Sequence, residues 1–162
     1  MSDGERIEQM ISDWLERNYP NGPTWYGRPA TEAPPLEIKM IPAFGAIEYN
    51  ISNGGWAQFL WNCFDEWREI INIARDGYLL IGAPEQSAAL NTLWTLCERD
   101  ERECREALEQ PTWLFAEFTS RSYSAPSNDW EPLFYGEDVY EKRLAWLAAN
   151  EPRVRRAMGM LD

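Results

Sequence analysis

The chain has 162 residues, 44% of them hydrophobic and 14% aromatic, with 27 acids, 15 bases and no histidine, for a formal net charge of -12 and a pI of about 4.5. That length is a single domain able to bury roughly 70% of its unfolded surface without metal or disulfide, and the aromatic content excludes disorder. The acidity excludes direct nucleic-acid binding and an anionic membrane as partners, because phosphate affinity comes from Lys and Arg, and the missing histidine excludes every Ser–His, Cys–His and His–metal mechanism within the chain.

Residues 3–18 read as an amphipathic helix, with Ile7, Met10, Ile11, Trp14 and Leu15 on one stripe and Ser2 or Asp3 as cap. Residues 19–35 hold five prolines and read as a loop that Trp25 and Tyr26 pin to the core. Leu36, Ile38, Met40, Ile41, Phe44, Ile47 and Ile51 follow, and Pro42 fits the first turn of a helix running to about Ser52. Asn53-Gly54-Gly55 breaks that helix, and Trp56, Phe59, Leu60 and Cys63 resume the helical spacing. Residues 65–81 form the next helix, with Trp67, Ile70, Ile71, Ala74, Tyr78 and Ile81 inward.

Gly82 suits the position just past a helix end, and Pro84 with Glu85 suits the first turn of a helix over 84–108. Its inward residues are Ala89, Leu93, Leu96, Cys97, Cys104 and Leu108. Pro111 opens a short helix carrying Trp113, Leu114, Phe115 and Phe118; residues 120–130 are a loop; Trp130, Leu133, Phe134 and Tyr135 form a hydrophobic turn. A helix over 137–149 uses Val139, Tyr140, Leu144, Trp146 and Leu147, and a last short one covers 151–160. Strand alternation is nearly absent, so the expected fold is all-α: one multi-helix domain over 1–162, with about seven to nine helices.

Cys63, Cys97 and Cys104 are odd in number and lack CxxC spacing, which favours buried free thiols of a reducing compartment over a disulfide or zinc site. The N-terminus has no signal-peptide pattern and no window approaches ~20 apolar residues, so a cytoplasmic protein is expected.

The chemical motifs are missing. Gly54-Gly55 follows a helix and lacks GxGxxG spacing, and there is no GxSxG, HExxH or calcium loop. Carboxylates do cluster, Asp65 with Glu66 and Glu69, and Glu137 with Asp138 and Glu141. Glycosidases use such pairs, but 27 acids generate them on solvated helix faces without any chemistry. No catalytic residue, metal site or cofactor is expected.

The acids differ in availability. Glu98, Asp100, Glu101, Glu103, Glu106 and Glu109 interleave with Arg99, Arg102 and Arg105, forming i, i+4 pairs worth ~0.2–0.5 kcal/mol each. Asp3, Glu5, Glu8, Asp13 and Glu16 face Arg6 alone until Arg17, and Asp129, Glu131, Glu137, Asp138 and Glu141 have no base among them. These ten are the candidate partner-binding surface, since unpaired acids project a field that speeds encounter with a basic partner; solubility is the plainer use of the same charge. The tail reverses sign, with Arg153, Arg155 and Arg156 against Asp162, and is expected to pair with an acidic face or lie near a helix C-terminus.

Asn53-Gly54-Gly55-Trp56-Ala57-Gln58-Phe59, followed by Asn62, resembles the NGG[FW]xQ[FY] motif of the bacterial DNA-mimic-protein-like helical domain family. The similarity continues through Ile81-Gly82-Ala83-Pro84, Trp130 to Tyr135 and the helix over 137–149, covering roughly residues 37–150. Physically, Asn53 and Gly54 let the chain leave a helix through left-handed conformations, Gly55 admits the next helix, Trp56 and Phe59 bury, and Gln58 and Asn62 bond exposed backbone ends. This is a structural role for the motif.

The resemblance implies an all-α, acidic, non-enzymatic protein, dimeric in the family's best-known member, whose acids stand in for duplex phosphates on a repressor. It carries no catalytic residues. Carboxylates at helical i, i+3 and i+4 spacing lie ~5–6 Å apart, comparable to phosphates along a strand. The expected function is occupation of the DNA-binding surface of a basic protein, such as a repressor, nucleoid protein or defence nuclease. Two alternatives stand beside it: an immunity or antitoxin-type inhibitor that uses exposed aromatics of the Trp25–Tyr26 loop, and a carboxylate-based metal-dependent hydrolase.

Overall fold

The computed structural model describes residues 1–124 and 129–160. Residues 125–128 of the expected 120–130 loop, and Asp162 opposite the basic tail, lie outside them. The described chain is all-α: α1 (Asp3–Asn18), α2 (Leu36–Gly54), α3 (Trp56–Asn62), α4 (Trp67–Leu80), α5 (Pro84–Leu108), α6 (Phe115–Thr119), α7 (Arg121–Ser124), α8 (Glu137–Ala149) and α9 (Glu151–Ala157), with 3-10 turns at Ala30–Glu32 and Glu131–Phe134.

Local rules place most of these ends. Ser2 and Glu5 form a reciprocal capping box at the start of α1. Gly82, with φ of 77°, closes α4, and Pro84 opens α5. Three places differ from the sequence reading, the first being α7, which forms at Arg121–Ser124 inside the expected 120–130 loop. The helix containing Pro42 begins six residues earlier, at Leu36, so the proline is interior. An interior proline costs about 3 kcal/mol, but Ile38 and Met40 are both fully buried and contribute about 1.5–3 kcal/mol each. Pro111 opens no helix; α6 starts at Phe115, and Trp113 is 75% exposed, held by edge-on contact with Trp61.

Two apolar clusters organise the fold. The larger is built from α2, α4 and α5 side by side, with α3 wedged against α2 and α5. Phe44 stacks on Tyr78 at 4.2 Å, and Gly77 allows the close approach, since a Cβ there would lie 2.8 Å from the Phe44 ring. The smaller gathers Ile7, Ile11, Ile38, Leu147, Val154 and Met158 from α1, α2, α8 and the end of α9. It lays α1 along α8, the two helices that carry eight of the ten candidate acids.

Candidate functional site

The glycine break is assembled from distant parts of the chain. α2 continues through Asn53 and Gly54, and only Gly55 takes a positive φ, of 81°; the left-handed exit expected at Asn53 and Gly54 is therefore one residue later. A Cβ on Gly55 would lie 2.5 Å from that of Ser122. The Ala57 amide donates to the Ser122 hydroxyl at 2.9 Å and the Trp56 amide to the Glu131 carboxylate at 3.2 Å. Two of the unpaired N–H groups that open α3 are thus satisfied by side chains, as helix starts require.

Glu131 is only 7% exposed. Burial pushes its carboxyl up, and the Trp56 amide opposes the shift. It leaves the set of surface acids, because α3 needs an acceptor there. Local sequence offers no sign of this, with 75 positions between the partners.

Gln58 and Asn62 do not bond backbone ends. Both donate to the Asn50 side-chain oxygen, at 3.3 and 2.9 Å, while the Asn50 amide donates to the Ala46 carbonyl. Sequence reasoning missed Asn50. Its signal was a polar residue between Ile47 and Ile51 on the apolar face of α2. Trp56 and Phe59 bury as expected.

The acidic segments meet through α1 and α8. Gly4 packs directly on Leu144, where any Cβ would collide. The Arg143 guanidinium, 8% exposed, reaches Glu8 at 2.8 Å and both Glu48 oxygens at 2.8 Å, and the Tyr78 hydroxyl donates to Glu48 at 3.0 Å. Burial raises the Glu48 carboxyl while Arg143 opposes the shift. One buried cation thereby ties α8 to α1 and α2.

The ten predicted acids divide by what they touch. Glu5 receives the Ser2 amide, which lowers its pKa, and the Tyr140 hydroxyl at 3.5 Å. Glu8 is half-buried on Arg143. Asp3 pairs loosely with Arg6 at 3.8 Å, Asp13 accepts from Gln9, and Asp138 pairs with Lys142 at 3.1 Å. Glu16, Glu137 and Glu141 are exposed and form no ion pair among the described residues. Asp129 is exposed just before the Glu131–Phe134 turn.

The run over 98–109 is paired as much by tertiary partners as within itself, and Glu98 and Glu109 form no ion pair among the described residues. Glu101–Arg105 and Arg102–Glu106 form as expected. Arg99 turns instead to Asp100, which is buried and also met by Arg121; Glu103 pairs with Arg121, and Glu101 with Arg68. Two of the three tail arginines are likewise engaged, and Arg156 is exposed with no ion pair among the described residues. Arg153 holds Glu37 at 2.7 Å, and Arg155 shares Glu151 with Arg6. The two guanidiniums hold Glu151 down at about 2.

Among the described residues no group of three or more His, Cys, Asp or Glu is placed to hold a metal. The three cysteines are free and buried, and burial pushes Cys63 and Cys104 up to about 12. Trp25 is 3% exposed, edge-on to Tyr19 at 4.9 Å, so it pins its loop to the core as expected and is not the exposed aromatic that the inhibitor alternative requires. No described helix is long and apolar enough to cross a membrane.

A family model described as DMP19-like protein matches residues 32–150. No curated protein and no solved structure matches the chain.

Proposed function

The chain belongs to the DMP19-like protein family, and from that premise we propose that it is a cytoplasmic, non-enzymatic DNA mimic, which covers the DNA-binding surface of a basic protein such as a repressor. The observation that carries this reading is the packing of α1 along α8. It brings Glu5 of α1 to the Tyr140 hydroxyl and Glu8 to Arg143, both on α8. Of the ten candidate acids, Glu16, Glu137 and Glu141 are exposed without an ion pair among the described residues, while Glu8 supports α8 through Arg143. Unpaired carboxylates at helical spacing present a field and a repeat that a phosphate-binding surface accepts. Homodimerisation belongs to the same reading.

The test is titration of the chain against purified basic DNA-binding proteins across a salt series, with duplex DNA as competitor. Affinity should fall steeply with salt, because the partner's cations are the ones that bind phosphates. Duplex should displace the chain, and Glu137→Gln with Glu141→Gln should weaken binding. Binding that survives high salt and ignores duplex overturns the proposal.

A further inference from the structure

Of the large hydrophobic side chains left exposed, Met1 (93%), Tyr49 (63%), Tyr135 (52%) and Tyr140 (39%) line one depression beside α1 and α8. It has two lobes, of about 540 and 250 Å3, that share Tyr140 and Arg143. The larger is walled by Glu5 and Glu8 from α1, with Ile41 and Gly45 of α2 beneath. Arg143 is the side-chain cation of both linings, held by Glu8 and Glu48 and 5.3 Å from the Tyr140 ring centroid, and the 93% exposed Met1 also lines the larger lobe, its terminal charge acting on Glu5.

Gly45 is the second, independent observation. It lies inside α2, is exposed, and a Cβ there would meet nothing within 4 Å. A glycine inside a helix weakens it relative to alanine, and here neither a positive φ nor a close approach requires one. What the missing side chain preserves is open space in the groove.

We propose that this depression receives a long cationic side chain, an arginine or lysine presented by the basic partner, with Gly45 keeping its floor clear. The aliphatic stem would lie over Ile41 and Gly45, and the head would meet the Glu5 and Glu8 carboxylates beside the Tyr140 ring, an arrangement that favours a guanidinium. Charge complementarity selects this occupant over a second copy of the chain, which would bring the same acids against themselves. The inference deepens the acidic-face reading and rests on it: the face gains a pocket that distinguishes one basic surface from another, where bulk charge alone gives mainly rate.

The experiment uses the full chain and a blocked nonapeptide carrying arginines, against the same peptide with citrulline, which keeps the shape and removes the charge. Gly45→Leu fills the floor and should retain or raise the thermal midpoint, yet weaken the arginine peptide about tenfold with an unchanged salt slope. Tyr140→Leu should weaken it in the same way. The citrulline peptide should fail to bind.

Undiminished affinity in Gly45→Leu, or equal binding of the citrulline peptide, overturns the proposal. So does a Gly45→Leu variant that turns a dimer into a monomer in light scattering, because a second copy would then fill the groove. If Glu137→Gln with Glu141→Gln weakens the arginine peptide while Gly45→Leu does not, the pocket falls and the acidic face stands. If no basic peptide binds and the glutamine variants change nothing, the acidic face falls with it.

Discussion

Gly55→Ala should be among the most damaging single-methyl changes in the molecule. Gly55 has φ of 81° and ψ of -173°, a conformation essentially closed to residues with a Cβ and costing about 1–3 kcal/mol. The new methyl would also lie 2.5 Å from the Ser122 Cβ and 2.7 Å from its hydroxyl oxygen, and 3.3 Å from a Glu131 oxygen. Those atoms hold the Trp56 and Ala57 amides, so they cannot retreat without releasing the start of α3. Overpacking of this kind costs about 1–3 kcal/mol, for a total of about 2–6 kcal/mol.

Gly82→Ala is the control. Its φ is 77° but nothing lies within 4 Å of its Cβ, so only a backbone cost of about 1–2 kcal/mol applies. The entropy that alanine removes from the unfolded chain is common to both variants and cancels in the comparison. Urea denaturation followed by tryptophan fluorescence and circular dichroism measures both. Gly55→Ala should exceed Gly82→Ala by at least about 1 kcal/mol. Equal losses would refute the claim that packing on Ser122 and Glu131, rather than φ alone, demands a glycine at this break.

Glu131→Ala leaves the buried Trp56 amide without an acceptor and should cost about 1–3 kcal/mol, whereas Glu131→Gln keeps an acceptor and should be close to neutral at pH 7; equal losses in the two would show that the amide is not what the side chain serves. Arg143→Met strands Glu8 and Glu48, whose side chains are 22% and 16% exposed, and should cost about 3–5 kcal/mol; adding Glu48→Gln should recover part of it, and a thermal midpoint unchanged by Arg143→Met would contradict the tie between α1, α2 and α8. The Glu151 carboxyl is held at about 2 by Arg6 and Arg155, below its ordinary 4.5, so its contribution is complete above pH 4.5 and drains away as pH falls toward 2. The stability gap between the native chain and Glu151→Gln should shrink over that window, and a gap constant with pH would disprove the assignment.

Much of the fold was legible in the sequence because its causes are local. The stripe from Ile7 to Leu15, the cap at Ser2, the Gly82 stop and the Pro84 start each depend on residues within a turn or two, and α1, α5 and α8 follow the bounds their patterns set. Locality fails where a neighbour from elsewhere decides the outcome. Pro42 became interior because Ile38 and Met40 found cores to fill, and Trp113 reached the surface through contact with Trp61 rather than a helical register.

The candidate site divides on the same line. Composition and spacing determined that the chain is acidic, that it lacks a recognisable catalytic constellation, and that charge accumulates over 3–16 and 129–141. Only the tertiary structure decided which carboxylates remain at the surface. Glu131 went inside to cap α3, Glu8 half-buried to hold Arg143, and Arg153 and Arg155 were taken up by Glu37 and Glu151. A carboxylate's exposure depends on which unpaired donors the fold brings to it, and those donors lie 75 to 135 positions away for Glu131, Glu8 and Glu37.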